Sequence, residues 1–257
     1  MSAANGSSDS SLAKEGVRLL LTNQFTAAKQ MYDQQYANDP KVALLHSFLS
    51  YGNAISSYSE ADLKACIESC KRTNAIGEKL EKSGKTDPGK KIEGLLIQAD
   101  CDLLTALIML VEETYVKMMW NMRKSFQGYQ EVSKLVDKYN GPNKAELSGW
   151  VKYGTGMFNV LLSQLPPSVM TIAEMIGFEG DRDKGLKLLT ECQEGPSFNA
   201  PFAGLLLLVY YLTIAPLTGD EIPGGMDHAK AIIDVSAQPH TAHSIAAEDE
   251  CRCCSGG

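Results

Sequence analysis

The residues best suited to chemistry lie near the end of the chain, where two histidines precede three cysteines. His240 and His243 are followed by Cys251, Cys253 and Cys254, and these side chains are zinc ligands in many proteins. The spacing matches no closed zinc module, and the surrounding residues are too polar to form a core. We therefore expect no metal or cofactor here, but free thiols in a tail over residues 236–257 that is either disordered or mis-joined to the chain. Palmitoylation of the three cysteines is an alternative.

Two further motifs have structural explanations. The DRD sequence at residues 181–183 suggests acid–base or phosphate chemistry, but Asp181 stands where a helix N-cap is expected. The SGKT sequence at residues 83–86 ends like a phosphate-binding loop. The first glycine of that loop would be residue 79, which is lysine, and no strand precedes it. No Ser-His-Asp order or paired-carboxylate pattern emerges, so the sequence predicts no catalytic site.

The other cysteines and one histidine fit a packed interior. Cys66 and Cys70 are four residues apart, share a predicted helix face and have no histidine nearby, which favours burial over metal binding. Cys101 and Cys192 lie in apolar helical patterns, as does His46. We predict core or interface positions for all five.

Charge and composition limit the possible partners and the compartment. The net charge is −7 and the pI about 5.2, which argues against nucleic-acid binding. The N-terminal MSAANGSSDSS lacks the basic and apolar regions of a secretory signal. We expect a cytoplasmic protein, with a nuclear location also open, whose cysteines are reduced. Residues 1–10 are small and polar, and we predict that they are disordered.

Apolar residues recur every three or four positions from Ser11 onward, and this period predicts helices. Ser11 is the predicted N-cap of the first helix, and residues 82–91 are predicted to form a loop. Alternating β-branched runs are missing, so no sheet is expected. The sequence predicts one all-α domain over residues 11–235.

Two segments follow the pattern of a tetratricopeptide repeat, which is a pair of antiparallel helices. The first has matching residues at Leu12, Gly16, Leu19, Ala28, Tyr32 and Pro40. In the second, Pro166 and Pro167 start a helix, Gly177 ends it and Asp181 caps the next. Gly185 in that next helix lies where the two backbones must approach closely.

The most apolar stretch runs from Phe202 to Leu217. It is bounded by Pro201, interrupted at Pro216 and shorter than the roughly 20 residues of a membrane span. We therefore predict a buried helix. Repeat proteins bind partners along concave helical surfaces, and we hypothesise such a groove, for a peptide or lipid, at five tyrosines. These are Tyr51, Tyr58, Tyr153, Tyr210 and Tyr211.

Residues 150–189 combine these features in an order that is specific enough to suggest a family. The signature residues are Gly154, Gly156, Pro166, Pro167, Gly177, Phe178, Gly180, Asp181, Arg182 and Gly185. Together with residues 97–101 (IQADC) and 123–129, they resemble the tetratricopeptide repeat protein 39 family, also called the Iml-type family. The likeness extends over roughly residues 12–235. Members usually continue into further repeats, so the resemblance implies a C-terminally truncated member.

The resemblance implies a right-handed array of antiparallel helix pairs that acts as a non-enzymatic adaptor for protein partners, without a cofactor. It further implies a role in lipid or sterol homeostasis, or in the lipid-droplet-linked clearance of inclusion bodies. The alternative is a peripheral membrane or lipid-handling protein on the cytosolic face of the mitochondrial outer membrane or on lipid droplets. In that case the 202–217 helix and the terminal cysteines would make the contact.

Overall fold

The computed structural model describes residues 8–165, 180–220 and 222–237, and within these ranges the chain is helical with no strand. This confirms the predicted all-α array. The described helices are α1 (Ser8–Leu21), α2 (Phe25–Gln35), α3 (Pro40–Ser57), α4 (Glu60–Ser83), α5 (Pro88–Val111), α6 (Tyr115–Lys138), α7 (Lys144–Ser163), α8 (Arg182–Gln193), α9 (Ala200–Val209), α10 (Ala215–Thr218) and α11 (Gly225–Ala237), with a π-helical segment at Tyr210–Ile214.

Aspartate caps followed by proline begin two of the long helices. The Asp39 carboxylate accepts hydrogen bonds from the backbone N–H groups of Lys41 and Val42, at 2.9 and 3.1 Å. Asp87 does the same at the start of α5. Proline fits the first helical turn because its missing N–H is not needed there. The predicted loop at residues 82–91 is therefore too long, since only residues 84–87 separate the helices.

The first helix also differs from the prediction. It begins at Ser8, so Ser11 lies inside α1 and is not its N-cap, and residues 8–10 are helical. The predicted contact between α1 and α2 is present: the Tyr32 hydroxyl donates to the Gly16 carbonyl at 2.7 Å. A Cβ at Gly16 would lie 2.8 Å from the Tyr32 ring, which explains the glycine at this repeat position.

A buried ion pair aligns alternate helices. The Lys41 ammonium lies 2.9 Å from a Glu146 carboxylate oxygen and 4.0 Å from one of Glu93, so the starts of α3, α5 and α7 lie at one end of the array. The turns at residues 58–59 and 112–114 join consecutive antiparallel helices. These turns consequently lie at the opposite end.

The chain divides into two compact units, one ending at Ala203 and the other beginning at Gly204. This boundary lies within α9, inside the stretch that the sequence predicts as one domain. In the second unit, the Tyr210 hydroxyl hydrogen-bonds to Asp220 at 2.9 Å, and the Tyr211 ring lies against His228. The wider π-helical turn ends at Ile214, two residues before Pro216, whose nitrogen cannot donate to the preceding turn.

The predicted burial of the apolar 202–217 helix is only partly correct. Leu207, Tyr210 and Ala215 are buried, but Leu205 and Leu212 on the other side are almost half exposed. Two described segments are long and apolar enough to cross a membrane by length and composition, Pro88–Val111 and Ala200–Thr218. The most apolar window of each is 56% and 33% buried, respectively, and buried core helices satisfy the same criterion.

Candidate functional site

Helices α6, α7 and α8 border a groove with a volume of about 710 Å³. Its lining residues come from all three helices and include Phe126, Tyr129, Gln130, Ser133, Lys134 and Asp137 of α6, Val151, Lys152, Thr155, Phe158 and Asn159 of α7, and Lys184 and Leu188 of α8, with the cap residue Asp181. The groove follows α7 from Ser148 to Asn159, a length of about 16 Å at the helical rise per residue.

The floor of this groove is apolar. The rings of Phe126 and Phe158 are stacked with their centroids 5.2 Å apart, and Phe158 and Val151 are buried. The upper walls carry exposed polar side chains, including Ser133 and Lys134 of α6 and Lys184 of α8. An apolar floor with polar margins is the usual make-up of a surface that binds a peptide.

A buried carboxyl group fixes the two helices that form most of the floor. Asp100 of α5 is 1% exposed, accepts a hydrogen bond from the Tyr129 hydroxyl at 2.5 Å and another from the Trp150 indole nitrogen at 2.7 Å. Complete burial raises the pKa of Asp100 to about 7, although the two hydrogen bonds act in the opposite direction. Asp100 thus holds α6 and α7 against α5.

Gly154 makes room for this arrangement. A Cβ atom at this position of α7 would lie 2.2 Å from a ring carbon of Tyr129, far inside van der Waals contact. Any larger residue would displace Tyr129 from Asp100. The glycine is therefore needed to place the ring beside the helix backbone.

Three contacts hold α8 on the other side of the groove. Gly156 and Gly185 face each other, and a Cβ on either would lie within 3.0 Å of the carbonyl oxygen of the other. The Lys152 ammonium forms a 2.9 Å ion pair with Glu191, which lowers the pKa of that carboxyl through the hydrogen bond. The Asn159 side chain accepts from the backbone N–H of Asp181 at 3.3 Å.

Residues 14–248 match the family described as Iml2/Tetratricopeptide repeat protein 39. This chain belongs to that family. The match covers most of the chain, and it extends over the groove and the helices that support it. No solved structure matches the chain.

The described residues of the family signature lie around the groove. Asp181 lines it and caps α8, since its carboxylate accepts from the Lys184 N–H at 2.9 Å. Arg182 pairs with Asp183 at 2.9 Å. Gly180 packs against the end of α7, where a Cβ would lie 2.8 Å from the Ser163 nitrogen. Four other signature residues lie outside the described ranges, namely Pro166, Pro167, Gly177 and Phe178.

The five tyrosines of the groove hypothesis are not brought together at this site. None of them lines the groove between α6, α7 and α8. Tyr153, Tyr210 and Tyr211 are buried, whereas Tyr58 is 66% exposed at the turn after α3. Burial raises the pKa of Tyr51 to about 12. The aromatic residues at the groove are instead Phe126, Tyr129 and Phe158.

The predicted interior cysteines are buried free thiols, namely Cys66, Cys70, Cys101 and Cys192. Burial raises the pKa of Cys192 to about 12, which makes it a poor nucleophile. His46 is largely buried and hydrogen-bonds through Nδ1 to the Ser69 hydroxyl at 2.9 Å.

Metal binding receives no support in the part of the chain that the structure describes, where no group of three or more His, Cys, Asp or Glu side chains could hold an ion. The histidines and cysteines of residues 240–254 lie outside the described ranges.

Sequence reasoning did not identify the Asp100 anchor. The available signal was an acidic residue inside an apolar helical pattern, in IQADC at residues 97–101. Such a residue needs buried donors, but the sequence does not show that Tyr129 and Trp150 provide them.

Proposed function

We propose that this tetratricopeptide-like helical scaffold is a non-enzymatic adaptor that binds a segment of a protein partner in the groove between α6, α7 and α8. The supporting observation is the apolar floor of Val151, Phe126 and Phe158 between polar walls. Its supporting helices are held by buried contacts, so little conformational entropy would be lost on binding.

The shape of the groove supports a peptide more than a compact small molecule. Its floor follows α7 for about three helical turns, which suits a short helix or an extended segment. Apolar side chains of the partner would contact the floor, and its polar groups would meet Lys134, Asp137 and Lys184 at the margins. This is the helix-in-groove mode of recognition.

Site-specific photo-crosslinking tests this proposal. A photoreactive residue at Ser133, in the groove wall, should capture a partner in cells, whereas one at exposed Gln127, outside the groove lining, should not. Thr155→Arg would fill the floor and abolish the Ser133 product, and Gln127→Arg is the matched control. Identical products from both positions, or a product that persists in Thr155→Arg, would contradict the proposal.

The resemblance to the family also supports a proposal for the biological process in which the protein acts. We propose that the cytoplasmic adaptor serves lipid or sterol homeostasis, or lipid-droplet-linked clearance of inclusion bodies. Cells lacking the protein should show slower inclusion clearance or altered sterol ester content. The wild-type chain should restore these properties and Thr155→Arg should not. Equal rescue by both would show that the process does not depend on the groove.

A second candidate is peripheral membrane binding, for example at the mitochondrial outer membrane or at lipid droplets. It is supported by Leu205, Val209 and Leu212, which are exposed in a segment without charged residues between Glu194 and Asp220. Replacing these three residues with serine should move the protein from the membrane pellet to the soluble fraction when cell extracts are sedimented. Substitution of Cys251, Cys253 and Cys254 tests the contribution of lipidation. Wild-type protein that is fully soluble would contradict this candidate.

A further inference from the structure

The first part of α6 carries an exposed apolar and basic ridge, defined here as Tyr115, Val116, Lys117, Trp120, Arg123 and Lys124. Val116 is 87% and Trp120 63% exposed. Trp120 points away from the core, since Met118, Met122 and Tyr129 form the buried face of the same helix. A tryptophan at the centre of a solvent-facing helix surface is costly to hydrate and gains free energy when a partner covers it.

The charge on this ridge differs from that of the whole chain. Residues 115–130 contain three cations and no acidic residue, although the chain has a net charge of −7. Several exposed lysines elsewhere pair with acids one helical turn away, as Lys64 does with Glu60 and Lys29 with Asp33. Within the described residues, none of the three ridge cations forms such an ion pair, although Lys124 lies near Asp102 of α5: burial raises the pKa of Asp102, and the Lys124 charge acts in the opposite direction.

The helix start adds partial positive charge, which Glu112 and Glu113 in the preceding turn offset in part. The first turn of α6 has no acidic residue, and Thr114 makes no side-chain capping bond, whereas aspartates cap α3, α5 and α8. The backbone dipole places partial positive charge at a helix N-terminus, so Lys117 is locally unfavourable there. An anionic group of a partner would remove this repulsion.

We propose that the ridge docks an acidic amphipathic segment of a protein partner. The apolar anchors of that segment would cover Val116 and Trp120, and its carboxylates would pair with Lys117, Arg123 and Lys124. Trp and Arg are the residue types that most often dominate the binding energy of protein interfaces. This second docking surface goes beyond the groove proposal and does not depend on it.

The neighbouring charges favour a peptide over a membrane. Glu112 and Glu113 are exposed in the turn that leads into α6. A broad anionic membrane that reached Val116 would also meet these two carboxylates, and the repulsion would oppose binding. A narrow peptide that lies along α6 contacts the cations and avoids the acidic turn.

Peptide selection on the full chain tests the ridge. Phage displaying random 16-residue peptides would be selected on the wild-type protein and counter-selected on the triple variant K117E/R123E/K124E. We expect enriched peptides in which Asp and Glu flank one or two large apolar residues. Their affinity should fall about tenfold or more in Trp120→Ala and in the triple variant. The control K79E/K82E/K85E has the same charge change beyond the ridge and should bind within about twofold of wild type.

Intrinsic fluorescence locates the bound peptide and separates the two classes of partner. Trp120 is exposed while Trp150, the other tryptophan, is buried. A selected peptide should shift the emission to shorter wavelength, and Trp120→Phe should abolish the shift. Selection without acidic enrichment, or affinity unchanged in Trp120→Ala, would overturn the proposal. So would a Trp120-dependent shift with phosphatidylserine–phosphatidylcholine vesicles in the absence of any selected peptide. The Ser133 crosslink to a groove partner is unaffected by any of these results.

Discussion

At the scale of single residues, Asp100 connects the core to the groove, and its burial should make stability depend on pH. Its pKa is raised to about 7, compared with about 3.9 in an unfolded chain. The folded state therefore holds the proton more tightly, and the contribution of this group is full below pH 4 and declines as the pH rises through 7. The expected decline is up to about 4 kcal/mol.

Urea unfolding of wild type and Asp100→Asn between pH 4 and pH 8 measures this effect. The asparagine cannot titrate. The free energy of unfolding of wild type minus that of Asp100→Asn should therefore decrease as the pH rises. Other titrating groups cancel in that difference. Parallel pH profiles would show that Asp100 keeps an ordinary pKa in the folded protein.

Gly154 gives a second residue-scale prediction. Gly154→Ala should lower the free energy of unfolding by about 2–3 kcal/mol, because the new Cβ would lie 2.2 Å from the Tyr129 ring and disturb its bond to Asp100. Gly52→Ala is the matched control in α3, where a Cβ meets no atom within 4 Å. The control should be neutral or stabilising by up to about 1 kcal/mol, as measured by urea unfolding. Equal effects at both positions would contradict this packing argument.

At the scale of helices, the Lys41 ion pair should contribute more than the surface pairs. Its side chain is 6% exposed and Glu146 is 15% exposed, so Lys41→Met would leave a nearly buried carboxylate without its cation. We expect a loss of about 3 kcal/mol in the free energy of unfolding. The control Lys64→Met breaks a fully exposed pair with Glu60 and should leave the free energy of unfolding almost unchanged, because solvent screens such a pair.

A double-mutant cycle identifies the cause. Glu146→Gln removes the charge that Lys41 neutralises, so adding it to Lys41→Met should restore part of the lost stability. If the losses in the free energy of unfolding of the two single variants simply add in the double variant, Lys41 stabilises the array through its packed hydrocarbon chain and not through its charge.

Local signals predicted the helices well and their assembly poorly. Asp39, Asp87 and Asp181 cap helices by bonding to backbone N–H groups no more than three residues further along the chain. A local sequence pattern is therefore enough to show where such a helix begins. The family signature can likewise be recognised from the sequence, because it consists only of residue types at a fixed spacing. The Asp100 anchor instead joins three helices, and no short pattern records that contact. Trp120 was missed because the regular apolar spacing of α6 does not distinguish its outward residue from its buried ones.

At the scale of the whole molecule, the proposed adaptor would need separate surfaces for separate partners, and α6 contributes to both of the proposed surfaces. Its residues 115–124 form the ridge, whereas Phe126 to Asp137 line the groove. If the two surfaces act separately, Thr155→Arg should abolish the groove crosslink and leave the affinity for a ridge peptide within about twofold of wild type. The variant K117E/R123E/K124E should show the opposite pattern.

Binding of both ligands to one molecule decides whether the surfaces are separate. Native mass spectrometry of the full chain with the captured groove partner and a selected ridge peptide should detect a complex of one copy of each. The affinity for either ligand should be independent of the other, because Val116 and Trp120, the apolar anchors of the ridge, lie more than a helical turn before Phe126, where the groove begins. Competition between the two ligands would instead show that one partner occupies a continuous surface along α6, and the protein would then bind a single extended segment.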